Sequence, residues 1–142
     1  INDLSPDKSV VKWQVDNGIQ TFVISWRNPS KEQGHWGMAD YITACEKALE
    51  VVSSITGSKK VNVSAGCSGG QTASVLASKL AATNNPILGT LTLMVCVLHP
   101  KPTDIEAGSL VSENGMQLAR QRAMKQGVIK ADDLARGFAW LR

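Results

Sequence analysis

The chain has 142 residues, a formal net charge of +3 and 19% charged side chains, the composition of one globular domain or part of one. The small excess of Lys and Arg is scattered, so it gives no support for a nucleic-acid or membrane-surface function. No apolar run reaches the roughly 18 residues that a transmembrane segment requires. The sequence begins with Ile1 rather than Met, it shows no signal-peptide pattern, and both of its ends are typical of a truncated chain. We therefore expect a fragment of a longer polypeptide.

The first half of the chain contains signals for two helices and one strand. A short helix is predicted over Asp7–Asn17, with Gly18 at a typical C-terminal position. The continuous apolar run within Gln20–Trp26 predicts a strand that is buried on both faces. Apolar side chains recur at three- and four-residue steps over Asp40–Ile55, which predicts the clearest helix of the chain, ended by Gly57.

The second half begins with alternating strands and helices. Strands are predicted over Lys60–Ser64 and Thr90–Leu98, with a helix over Ser68–Ala82 between them. This alternation predicts βαβ units and a parallel sheet, so the expected fold class is α/β. After residue 98 no further strand is predicted, and helical patterns at Ser112–Lys125 and Ala131–Leu141 indicate a helical excursion such as a lid or cap.

Metal and disulfide chemistry have little support in this sequence. Cys45, Cys67 and Cys96 form no C-x-x-C pair, and neither His35 nor His99 has a partner at ligand spacing, so we expect no metal site. Three widely spaced cysteines fit a reducing compartment better than a disulfide scaffold. Cys45 and Cys96 lie in apolar patterns and are expected in the core.

The strongest chemical signal is the turn between the second predicted strand and the helix that follows it. Its residues are Ala65, Gly66, Cys67, Ser68, Gly69 and Gly70. A nucleophile elbow has this strand–turn–helix context, with small residues two positions before and two after the nucleophile, where helix and strand backbones approach closely. The sequence therefore places a nucleophilic cysteine where such turns usually carry serine.

A cysteine at this position suits acyl transfer for three reasons. A helix N-terminus favours the thiolate, the thiolate is strongly nucleophilic, and its thioester passes an acyl group readily to another acceptor. The backbone N–H of Ser68 would be an oxyanion donor by the same geometry. Two other interpretations stay open: Cys67 as a small hydrophobic residue in a tight turn, and the loop as a phosphate site, although no Lys follows Gly70.

Other polar residues are weaker candidates. His99 follows a predicted strand and is a possible partner for Cys67, although the adjacent Pro100 explains the local sequence equally well. His35 is expected in a loop, and Asp104 and Glu106 are expected to be solvated. Basic residues near the end of the chain are expected on a solvated helix face, with binding of an anionic substrate as a secondary possibility. They are Arg120, Arg122, Lys125 and Lys130.

Several of these residues together resemble polyhydroxyalkanoate synthases, also called poly(3-hydroxyalkanoate) polymerases. The similarity covers nearly the whole chain, and stretches at Asp3–Ser9 and Ile55–Lys59 resemble the class that uses medium-chain monomers. The motifs that carry it, in chain order, are SWRNP at residues 25–29, Trp36, Asp40-Tyr41-Ile42, Ile55-Thr56-Gly57, AGCSGG at residues 65–70 and FAWLR at residues 138–142.

The resemblance implies an α/β-hydrolase fold, with residues 1–98 as part of the core and residues 99–142 as the start of a cap. It implies transfer of an (R)-3-hydroxyacyl group from coenzyme A to a growing polyester through an acyl-enzyme at Cys67. The substrate is a coenzyme A thioester, and no cofactor is expected. Homodimers at the polyester granule surface, in the cytoplasm, are the implied setting, with no nucleic-acid partner.

The family's catalytic Asp and His would lie beyond Arg142, so the 142 residues alone are expected to be inactive. Two residues depart from the family pattern: Ala65 where most members have Gly, and His99 where Asp is usual. Two rival functions remain. One is an α/β-hydrolase that passes the acyl group to water, as a thioesterase or depolymerase does. The other is a non-catalytic protein that only binds acyl chains or the granule surface.

Overall fold

The computed structural model describes residues 3–98 and 113–129, together with residues 132, 135 and 139. Within them, helices and strands occur in the order α1 (Val10–Asp16), α2 (Met38–Thr56), β1 (Val61–Gly66), α3 (Ser68–Ala82), β2 (Leu88–Met94) and α4 (Glu113–Gln126). Single 3₁₀ turns at Pro6–Lys8 and Lys31–Gln33 precede α1 and α2. No helix in this described part combines the length and apolar character needed to cross a bilayer.

The two strands form a parallel sheet, and α3 connects them. Val63 pairs with Leu91 and Gly66 with Met94, so both strands end at the same edge of the sheet. The register shifts between Val61 and Val63, where the Asn62 side chain accepts a hydrogen bond from the Thr90 backbone at 3.0 Å. The expected α/β class is confirmed at this level: a small parallel sheet with helices packed on it.

Helix α2 has clear start and stop signals. The carboxylate of Asp40 accepts the backbone N–H of Gly37 at 2.7 Å, which satisfies a donor that the helix itself leaves free. At the other end Gly57 has φ of +69°, a conformation that glycine adopts without a Cβ penalty. The predicted helix Asp40–Ile55 is therefore confirmed and extends slightly at both ends.

The core lies where α2 and α3 meet each other and the strands. The buried side chains come from one stripe of each helix, as a 3.6-residue period requires. They are Ile42, Cys45 and Leu49 of α2 and Leu76 and Leu80 of α3, with Val61, Val63, Ile87 and Leu88 packed against them. At the rim of this contact Lys79 of α3 and Glu46 of α2 form an ion pair at 2.5 Å.

The strand predicted over Gln20–Trp26 is absent, so that prediction is wrong. Residues 19–30 contain neither helix nor strand, and the exposed fractions of Phe22, Val23 and Ile24 are 43%, 63% and 45%. A strand buried on both faces needs neighbouring strands for its backbone and covering layers for its side chains. The described residues provide neither for this segment, and the sheet has two strands rather than three.

The bounds of α1, β1 and β2 also differ from the predictions, and β1 lies at Val61–Gly66 rather than at Lys60–Ser64. Helix α1 begins at Val10 because the Ser9 hydroxyl accepts the N–H of Lys12 at 2.8 Å and caps it there. The strand predicted over Thr90–Leu98 lies instead at Leu88–Met94, since Val95 has φ of +49° and leaves the extended conformation. Helix α4 agrees with the pattern at Ser112–Lys125, and the helix predicted over Ala131–Leu141 falls mostly outside the described residues.

Candidate active site

Cys67 occupies the single position between β1 and α3. Its backbone dihedrals are φ +52° and ψ −127°, a combination that non-glycine residues rarely adopt. Its N–H donates to the carbonyl of Met94 at 3.1 Å, and its carbonyl accepts the N–H of Gly70 at 3.0 Å. Backbone hydrogen bonds on both sides therefore hold the strained residue between the end of the sheet and the first turn of the helix.

The thiol of Cys67 is accessible and lies at the N-terminus of a 15-residue helix. Cys67 is exposed and is not part of a disulfide. Among the hydrogen bonds of the described residues, none uses the backbone N–H of Ser68, the first residue of α3. An exposed sulfur beside an unpaired N–H can combine a nucleophile with a donor for the oxygen of an attacked carbonyl.

The close backbone approach in this turn lies at Gly70, not at Gly69. A Cβ built on Gly69 meets no described atom within 4 Å, and one on Gly66 makes an ordinary contact of 3.7 Å with the Met94 carbonyl. A Cβ on Gly70 would lie 2.8 Å from the Cys96 Cβ and closer still to its Sγ. Among the described residues, the tight position is therefore Gly70, one residue after the position that the spacing predicts.

Ala65 is accommodated in the strand. It pairs with Leu93 across the sheet and is half-buried. Its methyl group is therefore compatible with this strand–turn–helix geometry, although most members of the resembled family have glycine there.

The other two cysteines lie in different surroundings. Cys45 is buried in the α2 stripe of the core, as predicted, and burial raises the pKa of its thiol above its ordinary value. Cys96 is half-buried beyond the end of β2, against Gly70, and not inside a strand as predicted. The apolar run that contains Cys96 continues past the last paired residue, and periodicity alone cannot locate that end.

The remaining candidates are not brought to this site within the described part of the chain. His35 is exposed in the turn before α2, as predicted, and Arg120, Arg122 and Lys125 are exposed on α4. No group of three His, Cys, Asp or Glu among the described residues is placed to hold a metal ion. His99, Asp104, Glu106 and Lys130 lie outside the described residues.

Two features beside Cys67 were not predicted from the sequence. The side-chain amide of Gln71, in the first turn of α3, donates to the carbonyl of Val97 at 2.8 Å. Val95, next to the residue whose carbonyl accepts the Cys67 N–H, has positive φ and a 92% exposed side chain. Positive φ has no sequence signal at a β-branched residue, and an amide-to-carbonyl contact across 26 positions has none either.

Comparison with known proteins gives a consistent result along the whole chain, although no family model matches it. It is 39% identical over 140 residues to poly(3-hydroxyalkanoate) polymerase 1 of Ectopseudomonas oleovorans, covering 99% of this chain and 25% of that protein. Polymerase 2 of the same organism is 34% identical, and the polymerase subunit PhaC of Cupriavidus necator 33%, each over 100% of this chain and 25% of the relative. The chain thus spans about a quarter of the length of these curated relatives. The predicted resemblance is confirmed: over that quarter, the chain belongs by sequence to the poly(3-hydroxyalkanoate) polymerase family.

Proposed function

We propose that this chain carries the nucleophile of a poly(3-hydroxyalkanoate) polymerase, and that the nucleophile is Cys67. The observation that carries the proposal is the conformation of Cys67: exposed, at φ +52°, between a strand and a helix. Strained backbone of this kind persists where the surrounding structure holds it in place, and it clusters at catalytic sites. The polymerase names of the relatives point to the same chemistry.

The proposed reaction has two acyl-transfer steps. The Cys67 thiolate attacks the carbonyl carbon of an (R)-3-hydroxyacyl-CoA, the carbonyl oxygen becomes an oxyanion beside the Ser68 N–H, and the C–S bond to coenzyme A breaks. The thiolate of coenzyme A leaves and takes up a proton. The hydroxyl of another hydroxyacyl unit then gives up its proton and attacks the carbonyl carbon of the new thioester. An ester bond forms, the C–S bond to Cys67 breaks, and the Cys67 thiolate is regenerated while the polymer is one unit longer. The protein's residues that move these protons are, by the family resemblance, an Asp and a His outside residues 1–142.

We propose that residues 1–98 form part of an α/β-hydrolase core and that residues 99–142 begin a cap. The parallel order of β1 and β2, connected by α3, supports the first part. The polar, mostly exposed helix α4 after the sheet supports the second. The short segments Asp3–Ser9 and Ile55–Lys59 resemble the medium-chain class, and this resemblance supports assigning the chain to that class.

The setting that we propose follows the family: a cytoplasmic homodimer at the surface of polyester granules. Exposed apolar side chains on α1 and after it are consistent with contact to an apolar surface or partner. They include Val10, Trp13, Val15, Ile19, Phe22 and Val23. The matching assay is co-sedimentation of the protein with polyester granules, compared with soluble albumin.

Product analysis tests the proposed reaction. The protein expressed from the complete reading frame that encodes these residues is incubated with (R)-3-hydroxydecanoyl-CoA, and released coenzyme A, polymer and free hydroxy acid are measured. Polymer supports the synthase, free hydroxy acid supports the hydrolase alternative, and no release of coenzyme A supports a non-catalytic binding protein. Cys67→Ala is expected to lower the rate by at least about 10³-fold, as loss of a covalent nucleophile does. Cys45→Ala removes a thiol from the core and is the matched control, expected to keep the activity.

A further inference from the structure

Two strained residues lie side by side at the carboxyl edge of the sheet. Among the described residues, the non-glycine residues with positive φ are Cys67, Asn84 and Val95, at +52°, +52° and +49°. Asn84 lies in the turn after α3, and asparagine tolerates this conformation. Cys67 and Val95 instead follow directly on the paired strand ends Gly66 and Met94. The Cys67 N–H bonds the Met94 carbonyl, which itself is joined to Val95.

Val95 is an unexpected residue for this conformation. A β-branched side chain makes positive φ a true outlier, so the backbone there carries a penalty that glycine or asparagine would largely avoid. The Val95 side chain gains little burial in exchange, since it is 92% exposed. Within the part of the chain that the structure describes, neither packing nor local backbone preference explains a valine at this position.

The segment that contains Val95 is attached to α3, the helix that begins directly after Cys67. Cys96 packs against Gly70, and the Gln71 side chain donates to the carbonyl of Val97, so the two residues that follow Val95 are held by the first turn of α3. Apolar side chains at Met94, Val97 and Leu98 are also exposed, at 39%, 55% and 55%. An apolar surface, held in place by the first turn of α3, therefore borders the turn that carries Cys67.

We infer that Val95 contacts the acyl chain of the thioester substrate and is a specificity-determining residue for its length. This inference rests on the proposed function, since it takes Cys67 as the acylated residue. In parallel sheets, ligands bind outside the carboxyl ends of the strands, and Val95 stands at that end of β2. An alkyl chain attached at Cys67 would cover apolar side chains that are otherwise exposed to water, and a longer chain covers more of them.

The test compares two substrates rather than one rate. The protein from the complete reading frame is assayed with (R)-3-hydroxybutyryl-CoA and (R)-3-hydroxydecanoyl-CoA. Val95→Ala is expected to lower kcat/KM for the decanoyl substrate by about tenfold and to leave the butyryl value within about twofold, since loss of two methyl contacts acts only on the longer chain. Val95→Ile keeps the branched shape and is expected to retain the preference for the longer chain. Val51→Ala, at an exposed position of α2, is the matched control, with no expected change in the ratio.

The possible outcomes separate the inference from the function beneath it. An equal fall of kcat/KM with both substrates would show that Val95 only holds the turn, and unchanged kcat/KM values with both would show that it does not contact the chain. Either result overturns the inference and leaves the proposed function standing. If the unmodified protein releases no coenzyme A from either substrate, the proposed function is overturned, and the inference with it. A changed ratio in Val95→Ala, with the Val51→Ala ratio unchanged, supports both.

Discussion

The contact between Gly70 and Cys96 makes a sharp prediction about stability. In Gly70→Ala, the new Cβ would lie 2.8 Å from the Cys96 Cβ and closer to its Sγ, below the 3.0 Å that real Cβ contacts respect. Overpacking of this kind costs about 1–3 kcal/mol. Replacing glycine by alanine within a helix stabilises the folded state by up to about 1 kcal/mol, which offsets part of this cost. We therefore expect the free energy of unfolding to fall by up to about 2 kcal/mol.

Gly69→Ala is the matched control, one residue earlier in the same helix turn. Its Cβ meets no described atom within 4 Å, so only the helix preference changes and the variant gains about 0.5–1 kcal/mol. The free energy of unfolding, measured in urea, should therefore be lower for Gly70→Ala than for Gly69→Ala by about 1–3 kcal/mol. Cys96→Ala removes the nearer atom and should recover part of the loss in a double-mutant cycle. Equal stability of Gly70→Ala and Gly69→Ala would refute the close approach.

Three further predictions concern other described residues. Val95→Gly should raise the free energy of unfolding by about 1 kcal/mol, because glycine adopts φ +49° without strain and little buried area is lost. A lower urea midpoint than that of the unmodified protein would show that the backbone at Val95 is not strained. Burial raises the pKa of the Cys45 thiol above its value in the unfolded chain, so the folded state keeps the proton to higher pH. Stability therefore falls as the pH rises from the unfolded pKa through the folded one. Cys45→Ala should flatten that fall, and an unchanged slope against pH would count against burial as its cause. Glu46→Gln removes the half-exposed ion pair with Lys79 and should lower the free energy of unfolding by less than about 1 kcal/mol. Because salt screens exposed charges, this loss should be smaller in 1 M salt. A loss that does not depend on salt would indicate a packing effect.

The helices were the most predictable part of the fold, for physical reasons that are local. The stripe of Ile42, Cys45 and Leu49 repeats at helical spacing, and Gly57 supplies a stop signal that needs no tertiary contact. The helix Ser68–Ala82 was predicted with the bounds that the structure shows. Periodicity over many residues averages out local exceptions, which is why long amphipathic helices can be predicted from sequence.

The strands were less predictable because their hydrogen bonds depend on partners elsewhere in the chain. The apolar run at Gln20–Trp26 has strong strand propensity, yet it pairs with nothing among the described residues. The run at Thr90–Leu98 ends four residues early, since the backbone turns at Val95. Propensity describes how well a side chain fits a sheet, and it does not state whether a neighbouring strand is present.

The candidate site was predicted in outline, and its details required coordinates. Small residues between an apolar strand and a helix indicated the turn and singled out Cys67. Among the described residues, the close approach falls at Gly70 because the contact comes from Cys96, 26 positions later, which no local pattern encodes. The positive φ of Val95 could not be predicted either, because its sequence context is that of an ordinary apolar strand.

The proposed function requires that the sulfur of Cys67 holds the growing acyl chain. The protein from the complete reading frame is mixed with (R)-3-hydroxydecanoyl-CoA, quenched in acid within the first turnovers, digested and examined by peptide mass spectrometry. We predict a hydroxyacyl mass increment on the peptide that contains Cys67 and none on those that contain Cys45 or Cys96. Release of coenzyme A with the increment on another residue, or with no increment anywhere, would contradict the claim.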